Sequence, residues 1–237
     1  MLFEKMILPY LDKTIEQSDN LNAKLILLIS AELPNSYRKR LDALCAKRPY
    51  LILCPIPLQD GFIKDLNKVI KHDLSSYKKD MSFATVRLDD DDLLNIKFPD
   101  LIEKYLTPDF CNSVVTFSRG IEALYDFEKK SLDPCIRISF PKIALGLSHI
   151  NYFNFITRKC NAPIVNVYET GDHTKVHQNY HMIIDTAKDV YLRLSYEEQD
   201  TAAKGINARL AKSNPSFVSS ATVCKIFQEV KNITTDS

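Results

Sequence analysis

Tryptophan is absent from this chain, and only 5 of its 237 residues are glycine. So little glycine argues against a glycine-rich phosphate loop, and the sequence contains neither a P-loop nor a GxGxxG pattern. A charge excess is missing too, because 31 Lys and Arg residues face 30 Asp and Glu residues. Without a basic excess or a basic run with interleaved aromatics, the sequence predicts no nucleic-acid partner.

Long apolar runs and paired cysteines are missing as well. No stretch approaches the roughly 18 consecutive apolar residues of a membrane span, and the N-terminus has no signal-peptide layout. The six cysteines are scattered, and no two of them have CxxC spacing. With 45% hydrophobic residues, the chain can bury a substantial core without disulfides. These features predict a cytoplasmic protein with reduced thiols.

The most informative stretch runs from Phe83 to Leu94, where a short apolar segment leads into four consecutive aspartates, Asp89 to Asp92. An acidic cluster at the carboxyl end of a strand lies where α/β sheets bind ligands. A divalent cation would relieve the repulsion among the carboxylates, because Mg²⁺ and Mn²⁺ accept carboxylate oxygen. The alternative is a solvated acidic turn that caps a following helix. The run alone leaves both interpretations open.

A second cluster contains three of the five histidines within nine positions, His173, His177 and His181. In isolation, they are typical of a solvated surface loop. Combined with the acidic run, they suggest a late metal or phosphate ligand, with His173 as the first candidate and His177 as the second. Arg87 and Lys175 could balance phosphate charge, although an Arg87 ion pair with the aspartates and a solvated Lys175 are equally open.

The hydrophobic pattern predicts alternating helices and strands before residue 108 and a mixed arrangement after it. Strands are predicted over 23–30, 50–54, 82–88, 113–117, 121–127, 135–140 and 163–168. Helices are predicted over 1–17, 37–47, 62–74, 93–106, 148–160, 182–196, 202–210 and 219–230. Strands that alternate with helices predict a parallel α/β sheet in the first part of the chain.

A strand that ends in an acidic run, after two α/β units and before a half with a late histidine, resembles a GT-A glycosyltransferase with its DxD motif. The opening segment 2–11, the turn at 17–19 and Glu32-Leu33-Pro34 are similar to segments of the rhamnosyltransferase family of bacterial polysaccharide synthesis. The segments 115–120 and 144–146 also resemble later parts of that family. The resemblance therefore extends over most of the chain, to about residue 185.

The resemblance implies a GT-A-like three-layer α/β/α fold with a mixed, mainly parallel central sheet. It implies a single domain with a nucleotide-binding half over 1–107, a mixed acceptor-side half over 108–185 and a helical tail over 186–237. Asp89 and Asp91 match the two acids of the DxD motif, and Asp92 extends it. The residues expected to contact the donor are Arg87, Asp89, Asp90 and Lys175. Those expected to hold Mn²⁺ or Mg²⁺ are Asp91, Asp92 and His173.

One departure from the GT-A pattern is expected to matter. Such a domain normally begins with a strand whose end contacts the base and ribose of the donor, whereas this chain begins at what would be the first helix. Loss of that strand would leave the base pocket open on one side and expose an edge of the sheet.

The sequence thus predicts a metal-dependent glycosyltransferase that acts in cell-surface polysaccharide synthesis. Its partners would be a nucleotide-diphosphate sugar, with rhamnose suggested by the resemblance, and a saccharide acceptor; peripheral membrane association is compatible with this role. No catalytic base is assigned. Two alternatives remain: a non-catalytic or truncated GT-A relative that binds nucleotide or a partner, and a metal-dependent phosphohydrolase with two close cations.

Overall fold

The structure, a computed structural model, describes residues 3–17, 22–57, 61–196, 205–212 and 215–234. After a π-helical turn at Phe3–Ile7, the α-helices are α1 (Leu8–Gln17), α2 (Asn35–Cys45), α3 (Phe62–Leu74), α4 (Phe98–Glu103), α5 (Ile206–Lys212) and α6 (Ser220–Ile226). The 3₁₀ helices are Pro108–Phe110, Val167–Thr170, Val176–Gln178 and Gln228–Asn232. None of the described helices is long and apolar enough to cross a membrane.

The strands of the described residues form three sheets. Their bounds are β1 (Leu25–Ser30), β2 (Leu51–Ile56), β3 (Met81–Val86), β4 (Leu93–Leu94), β5 (Ser113–Phe117), β6 (Arg119–Asp126), β7 (Ser131–Ser139), β8 (Ser148–Asn154), β9 (Lys159–Cys160), β10 (His181–Asp185), β11 (Tyr191–Ser195) and β12 (Ser216–Val218). β1 and β2 form a parallel pair. The second sheet has the order β10-β5-β8-β3, with β9 beside β8, and the third has the order β12-β7-β6-β11-β4.

The expectation of a mixed sheet is confirmed, but a mainly parallel sheet is wrong for the described strands. The parallel pairs are β1–β2, β5–β10 and β6–β11, and the other pairings are antiparallel. β3, which leads into the acidic run, pairs antiparallel with β8. Antiparallel pairing needs no helical crossover, so short connections such as the one between β6 and β7 produce it directly.

Helix α3 contributes one buried face to the packing around β3. Leu66, Ile70 and Leu74 recur at a spacing of four residues, which places them on one side of the helix. Together with Phe153 of β8 and Val165 they form a buried cluster, against which side chains of both β1 and β3 pack. This cluster therefore links α3 to the pair β1–β2 and to the second sheet.

Close packing characterises the third sheet, at the point where β6 and β11 meet. The ring of Tyr191 in β11 occupies the space that a Cβ atom on Gly120 in β6 would need. Both residues are fully buried, and Ile121, Ala123, Leu192 and Leu194 continue the same core. Glycine at position 120 is therefore what allows the two strands to pack this closely.

The sequence prediction is accurate for the first half of the fold. Strands at 23–30, 50–54 and 82–88 and helices at 37–47 and 62–74 all have counterparts within a few residues. Pro9 lies in the first turn of α1, directly after the π-helical turn, and the carbonyl oxygen of Lys5, four residues earlier, accepts a hydrogen bond from the Asn232 amide in place of the missing N–H. The helix predicted over 93–106 is wrong at its start, because Leu93–Leu94 pairs with β11 before α4 begins.

Helices predicted over 148–160 and 182–196 are wrong. The first range forms β8 and β9, and the second forms β10 and β11. Residues on both faces of β8 are buried, because Ile150 packs in the main core and Phe153 packs with the residues of α3, so the alternation typical of strands is lost. A short apolar run of this kind does not distinguish a strand from a buried helix.

Three further segments differ from their predicted form. No strand occupies 163–168; Asn166 instead begins the 3₁₀ helix Val167–Thr170 with a capping box that includes Glu169. The helix predicted over 219–230 divides into α6 and the 3₁₀ helix Gln228–Asn232. The helix predicted over 202–210 corresponds to α5 from Ile206 onward, and residues 202–204 lie outside the described residues.

Candidate functional site

The acidic run follows β3 after two further residues and forms a turn before β4. The N–H of Arg87 donates to the carbonyl oxygen of Leu147 at 3.0 Å, and the N–H of Gly146 donates to the carbonyl oxygen of Arg87 at 2.8 Å. These bonds extend the pairing of β3 as far as Arg87. Gly146 has a φ of +73°, a left-handed conformation that glycine adopts at little cost. The N–H of Asp92 closes the turn by donating to the carbonyl oxygen of Asp89 at 3.3 Å.

Asp92 is directed into the protein interior. It is only 6% exposed, and its Oδ1 accepts a hydrogen bond from the N–H of Leu194 at 3.1 Å. Burial raises the pKa of Asp92 well above its ordinary value, and the nearby carboxylates of Asp91 and Asp89 raise it further. The side chain therefore fastens the acidic turn to β11, which favours an anchoring role over direct contact with a ligand.

Arg87 and Asp89 form the accessible side of the turn. Nε of Arg87 lies 3.4 Å from Oδ1 of Asp89, and the two side chains are 35% and 46% exposed. The guanidinium group also lies over the ring of Tyr168, 5.7 Å from its centroid. This ion pair is one of the alternatives that the sequence leaves open for Arg87, and the structure contains it.

Tyr168 is a residue of the site that the sequence analysis missed. Burial raises the pKa of its hydroxyl group, and the nearby Arg87 guanidinium opposes that rise. The ring of Phe62, at the start of α3, packs edge-on against Tyr168 with a centroid distance of 5.4 Å. Through its contacts with Phe62 and Arg87, Tyr168 brings the segment after residue 160 against the start of α3 and the end of β3. No local pattern indicates this contact, because Arg87 and Tyr168 are distant in sequence.

The three clustered histidines contact different parts of the protein. Nδ1 of His173 lies 3.9 Å from a carboxylate oxygen of Asp172, and Nζ of Lys175 lies 4.0 Å from the other. Nε2 of His177 lies 3.3 Å from Nζ of Lys142, and Nδ1 of His181 lies 3.3 Å from Oγ of Ser113. His173 and Lys175 thus share one acidic neighbour, while the other two histidines do not join them there.

Asp172 and Glu169 both have structural uses in the same loop. The Asp172 carboxylate accepts hydrogen bonds from the N–H and hydroxyl of Thr174, and these bonds, the backbone one first, lower its pKa. Oε1 of Glu169 accepts hydrogen bonds from the N–H groups of Val165 and Asn166 and from the amide of Asn67. Both carboxylates therefore hold the shape of the loop.

No group of three or more His, Cys, Asp or Glu side chains is arranged to hold a metal ion in the ranges that the structure describes. The acidic turn nevertheless contains Asp89 and Asp91, both partly exposed. Magnesium commonly binds through one or two carboxylates together with substrate phosphates, rather than in an all-protein cage. The turn therefore fits a cation that is shared with a diphosphate, and does not fit a closed metal site.

The acidic turn lies within the part of the chain that matches a known family. Comparison with models of protein families assigns residues 1–129, more than half of the chain, to a glycosyltransferase family. This family is described as putative rhamnosyl transferase, and the chain belongs to it. The matched range includes Arg87 and the four aspartates, whereas Tyr168 and the histidine loop lie beyond it. A comparison with curated proteins found no match.

Proposed function

We propose that this protein is a metal-dependent glycosyltransferase that moves a sugar, rhamnose in the first instance, from a nucleoside-diphosphate donor to a saccharide acceptor of a cell-surface polysaccharide. The observation that carries the proposal is the turn after β3, in which Asp92 is buried as an anchor while Asp89 stays accessible. Family membership supports transfer of a sugar between a donor and an acceptor. The GT-A-like arrangement and its DxD motif are part of the proposal.

Each residue of the turn has a distinct role in this proposal. Asp92, through its bond to Leu194, holds the turn in place before any ligand binds. Asp89 and Asp91 would hold Mn²⁺ or Mg²⁺ together with the donor diphosphate, and Asp90, which is exposed, would lie beside the donor. Arg87 would exchange part of its contact with Asp89 for a diphosphate oxygen, since a guanidinium group binds either anion by paired hydrogen bonds.

A cation held there would neutralise the negative charge that develops on the departing nucleoside diphosphate. The acceptor hydroxyl would displace that diphosphate at the anomeric carbon. Lys175 and His173 are proposed to add positive charge or a phosphate contact from their loop. No catalytic base is assigned, because the Glu169 and Asp172 carboxylates already accept hydrogen bonds from the loop itself.

A non-catalytic relative is the second candidate, and one observation favours it. Among the described residues β1 pairs only with β2, and β3 pairs only with β8, so each has one open edge. Side chains of both strands pack against the cluster that α3 shares with Phe153 and Val165. In a GT-A domain, which the sequence resembles, a strand that contacts the donor base would be expected beside these open edges. A phosphohydrolase with two close cations is less well supported, because it needs more clustered ligands than the described residues provide.

A thermal-shift matrix tests the proposal directly. The chain would be heated with Mn²⁺ or Mg²⁺, each crossed with UDP, dTDP, GDP and CMP. A ligand that binds only the native state raises the melting temperature by mass action, by an amount that grows with its affinity. A rise that requires both a cation and one diphosphate is expected and would identify the donor nucleotide. No rise in any combination would favour the non-catalytic candidate.

A variant pair locates the binding at the turn. Asp91→Ala is expected to abolish the cation-dependent rise while leaving the melting temperature of the free protein within a few degrees. Asp100→Ala, which removes an exposed aspartate from α4, is the matched control and should retain the rise. His173→Ala is expected to weaken the rise less than Asp91→Ala does. A full response from Asp91→Ala would remove the acidic turn from the proposed site.

A further inference from the structure

Two neighbouring segments form a continuous surface: the end of α3 with its following loop, residues 71–80, and the hairpin 154–160 that joins β8 to β9. Oδ1 of Asp80 accepts a hydrogen bond from the N–H of Phe155 at 2.7 Å. The guanidinium group of Arg158 donates to two carbonyl oxygens of the loop, at 2.9 and 3.2 Å. These bonds make the two segments one unit, called the hairpin surface below.

Ile156 stands at the tip of this surface and is 85% exposed. It is the most exposed large apolar side chain in the part of the chain that the structure describes. The following residues, Thr157, Arg158 and Lys159, are exposed as well. A lone exposed apolar side chain is unremarkable by itself, so its surroundings decide what it does.

The surroundings of Ile156 are strongly cationic. The basic side chains of the hairpin surface, all exposed, are Lys71, Lys78, Lys79, Arg158 and Lys159. The four lysines form no ion pair with the rest of the described residues. It has two acids, Asp73, which pairs with Lys24, and Asp80, which accepts hydrogen bonds from Tyr152 and Phe155, so its five cations outnumber its carboxylates. The surface therefore carries a local positive charge although the whole chain is nearly neutral.

A cleft of about 360 Å³ opens on the same surface. Lys71, Arg158 and Lys159 line it together with apolar side chains such as Phe153 and Val165. Cationic groups above an apolar floor match a molecule that has a phosphate next to hydrocarbon. A phospholipid has this combination.

We propose that the hairpin surface docks the protein on an anionic phospholipid bilayer. Ile156 would enter the boundary between headgroups and acyl chains, while the lysines contact lipid phosphates. Neither signal suffices alone, because one short apolar insertion binds marginally and stable attachment needs a second attraction such as a basic patch. The attraction of basic residues to an anionic leaflet falls off within a Debye length, so residues adjacent to the inserted tip are the ones that count.

Other occupants fit these features less well. A nucleic acid would use the lysines, but it gives no role to an apolar tip beside them. A second copy of this chain would have to cover a surface whose charge repels its own image. The membrane proposal accounts for the apolar tip, the cations and the cleft together.

The test is sedimentation of the full chain with lipid vesicles, without donor or acceptor. Vesicles of phosphatidylcholine would be compared with vesicles that also contain phosphatidylglycerol, at low and high salt. We expect binding to the anionic vesicles only, and weaker binding at high salt. Equal binding to both compositions, or binding to neither, would overturn the proposal. The outcome does not depend on sugar transfer, so the failure of either proposal leaves the other intact.

Matched variants assign the binding to this surface. Ile156→Asp is expected to weaken vesicle binding by about tenfold, because an inserted isoleucine side chain is lost. Lys78→Glu with Lys79→Glu should weaken it by tenfold or more. The controls, Ile184→Asp on β10 and Lys97→Glu with Lys104→Glu beside α4, alter exposed side chains of the same types. If the controls weaken binding as much as the hairpin variants, the hairpin surface is not the docking site.

Discussion

Two arginine–carboxylate pairs in this protein have similar chemistry and opposite surroundings. Glu122 in β6 is fully buried and pairs with Arg209 of α5, whereas Asp89 and Arg87 at the acidic turn are both substantially exposed. Ser195 also donates to Glu122, and the Arg209 guanidinium lies over the ring of Phe140. The first pair is fully occupied by protein groups, whereas the second can exchange partners with a ligand.

The strands near the two pairs also differ in how deeply they are buried. All residues of β5 are buried, and most of β6 is buried too, whereas every residue of β3 is only partly buried. Ligand-binding segments are drawn from the less stable parts of a protein. The acidic turn lies between a partly buried strand and a buried strand, because β3 leads into it and Asp92 fastens it to β11. One side of the turn is thus rigidly supported while the other is open.

The largest expected effect is the loss of the buried pair. Arg209→Met would leave the Glu122 carboxylate without its cation in a fully buried position, and we expect the free energy of unfolding to fall by about 3–5 kcal/mol. Urea denaturation monitored by circular dichroism measures this change. Arg38→Met is the matched control, because its exposed pair with Asp42 should contribute less than about 1 kcal/mol.

A second variant separates the pair from the loss of packing. Glu122→Gln combined with Arg209→Met removes both charges, so it should be less destabilising than Arg209→Met alone. If the double variant loses as much stability as the single one, Arg209 acts through its contact with Phe140 and not through Glu122.

Asp92→Asn is expected to have an intermediate effect, and of opposite sign. Asparagine keeps an oxygen that accepts from the N–H of Leu194 but cannot ionise. The raised pKa of Asp92 means that the folded protein holds this proton more tightly than the unfolded chain does. The contribution of Asp92 to stability is therefore present at low pH and is lost as pH rises from the unfolded value through the higher folded value.

The variant should consequently gain stability over the parent protein as the pH rises above about 4. Every tenfold difference in acid dissociation constant between the two states corresponds to about 1.4 kcal/mol. Urea titrations of both proteins between pH 4 and neutrality, roughly the range set by these pKa values, measure the difference. Asp92→Asn should also keep the cation-dependent thermal shift that Asp91→Ala loses. A stability difference that does not change with pH would show that Asp92 is ionised in the same way in both states.

The acidic run could be found from sequence because its signal is local: a short apolar strand leads directly into four carboxylates. What each carboxylate does could not be found in this way. Asp92 is distinguished from its neighbours by Leu194, which lies about a hundred residues further along the chain. Glu122 and Arg209 are likewise far apart, and neither stands in a pattern that marks it as buried.

The fold shows the same limit. α3 was predicted with its correct bounds because one apolar stripe is enough to define it. The sequence of β8 predicts a helix because Ile150 and Phe153, on opposite faces of the strand, are both buried in separate clusters, which removes the alternation that marks a strand. Leu93–Leu94 likewise becomes a strand only through β11, so tertiary pairing overrides the local helical preference there.

The smallest expected effect on stability is that of Arg87→Met, and it completes the comparison of the two pairs. The Arg87 pair with Asp89 is exposed, so its loss should change the free energy of unfolding by less than about 1 kcal/mol. Binding of the cation and diphosphate should weaken by about tenfold, because a charge-assisted contact to a phosphate oxygen is lost. Titration calorimetry with the diphosphate identified by the thermal screen measures that change. Arg137→Met, which removes another arginine paired with an aspartate, is the control and should bind normally. If Arg87→Met instead destabilises the fold as much as Arg209→Met, the two pairs are both structural, and the open side of the turn is not a ligand site.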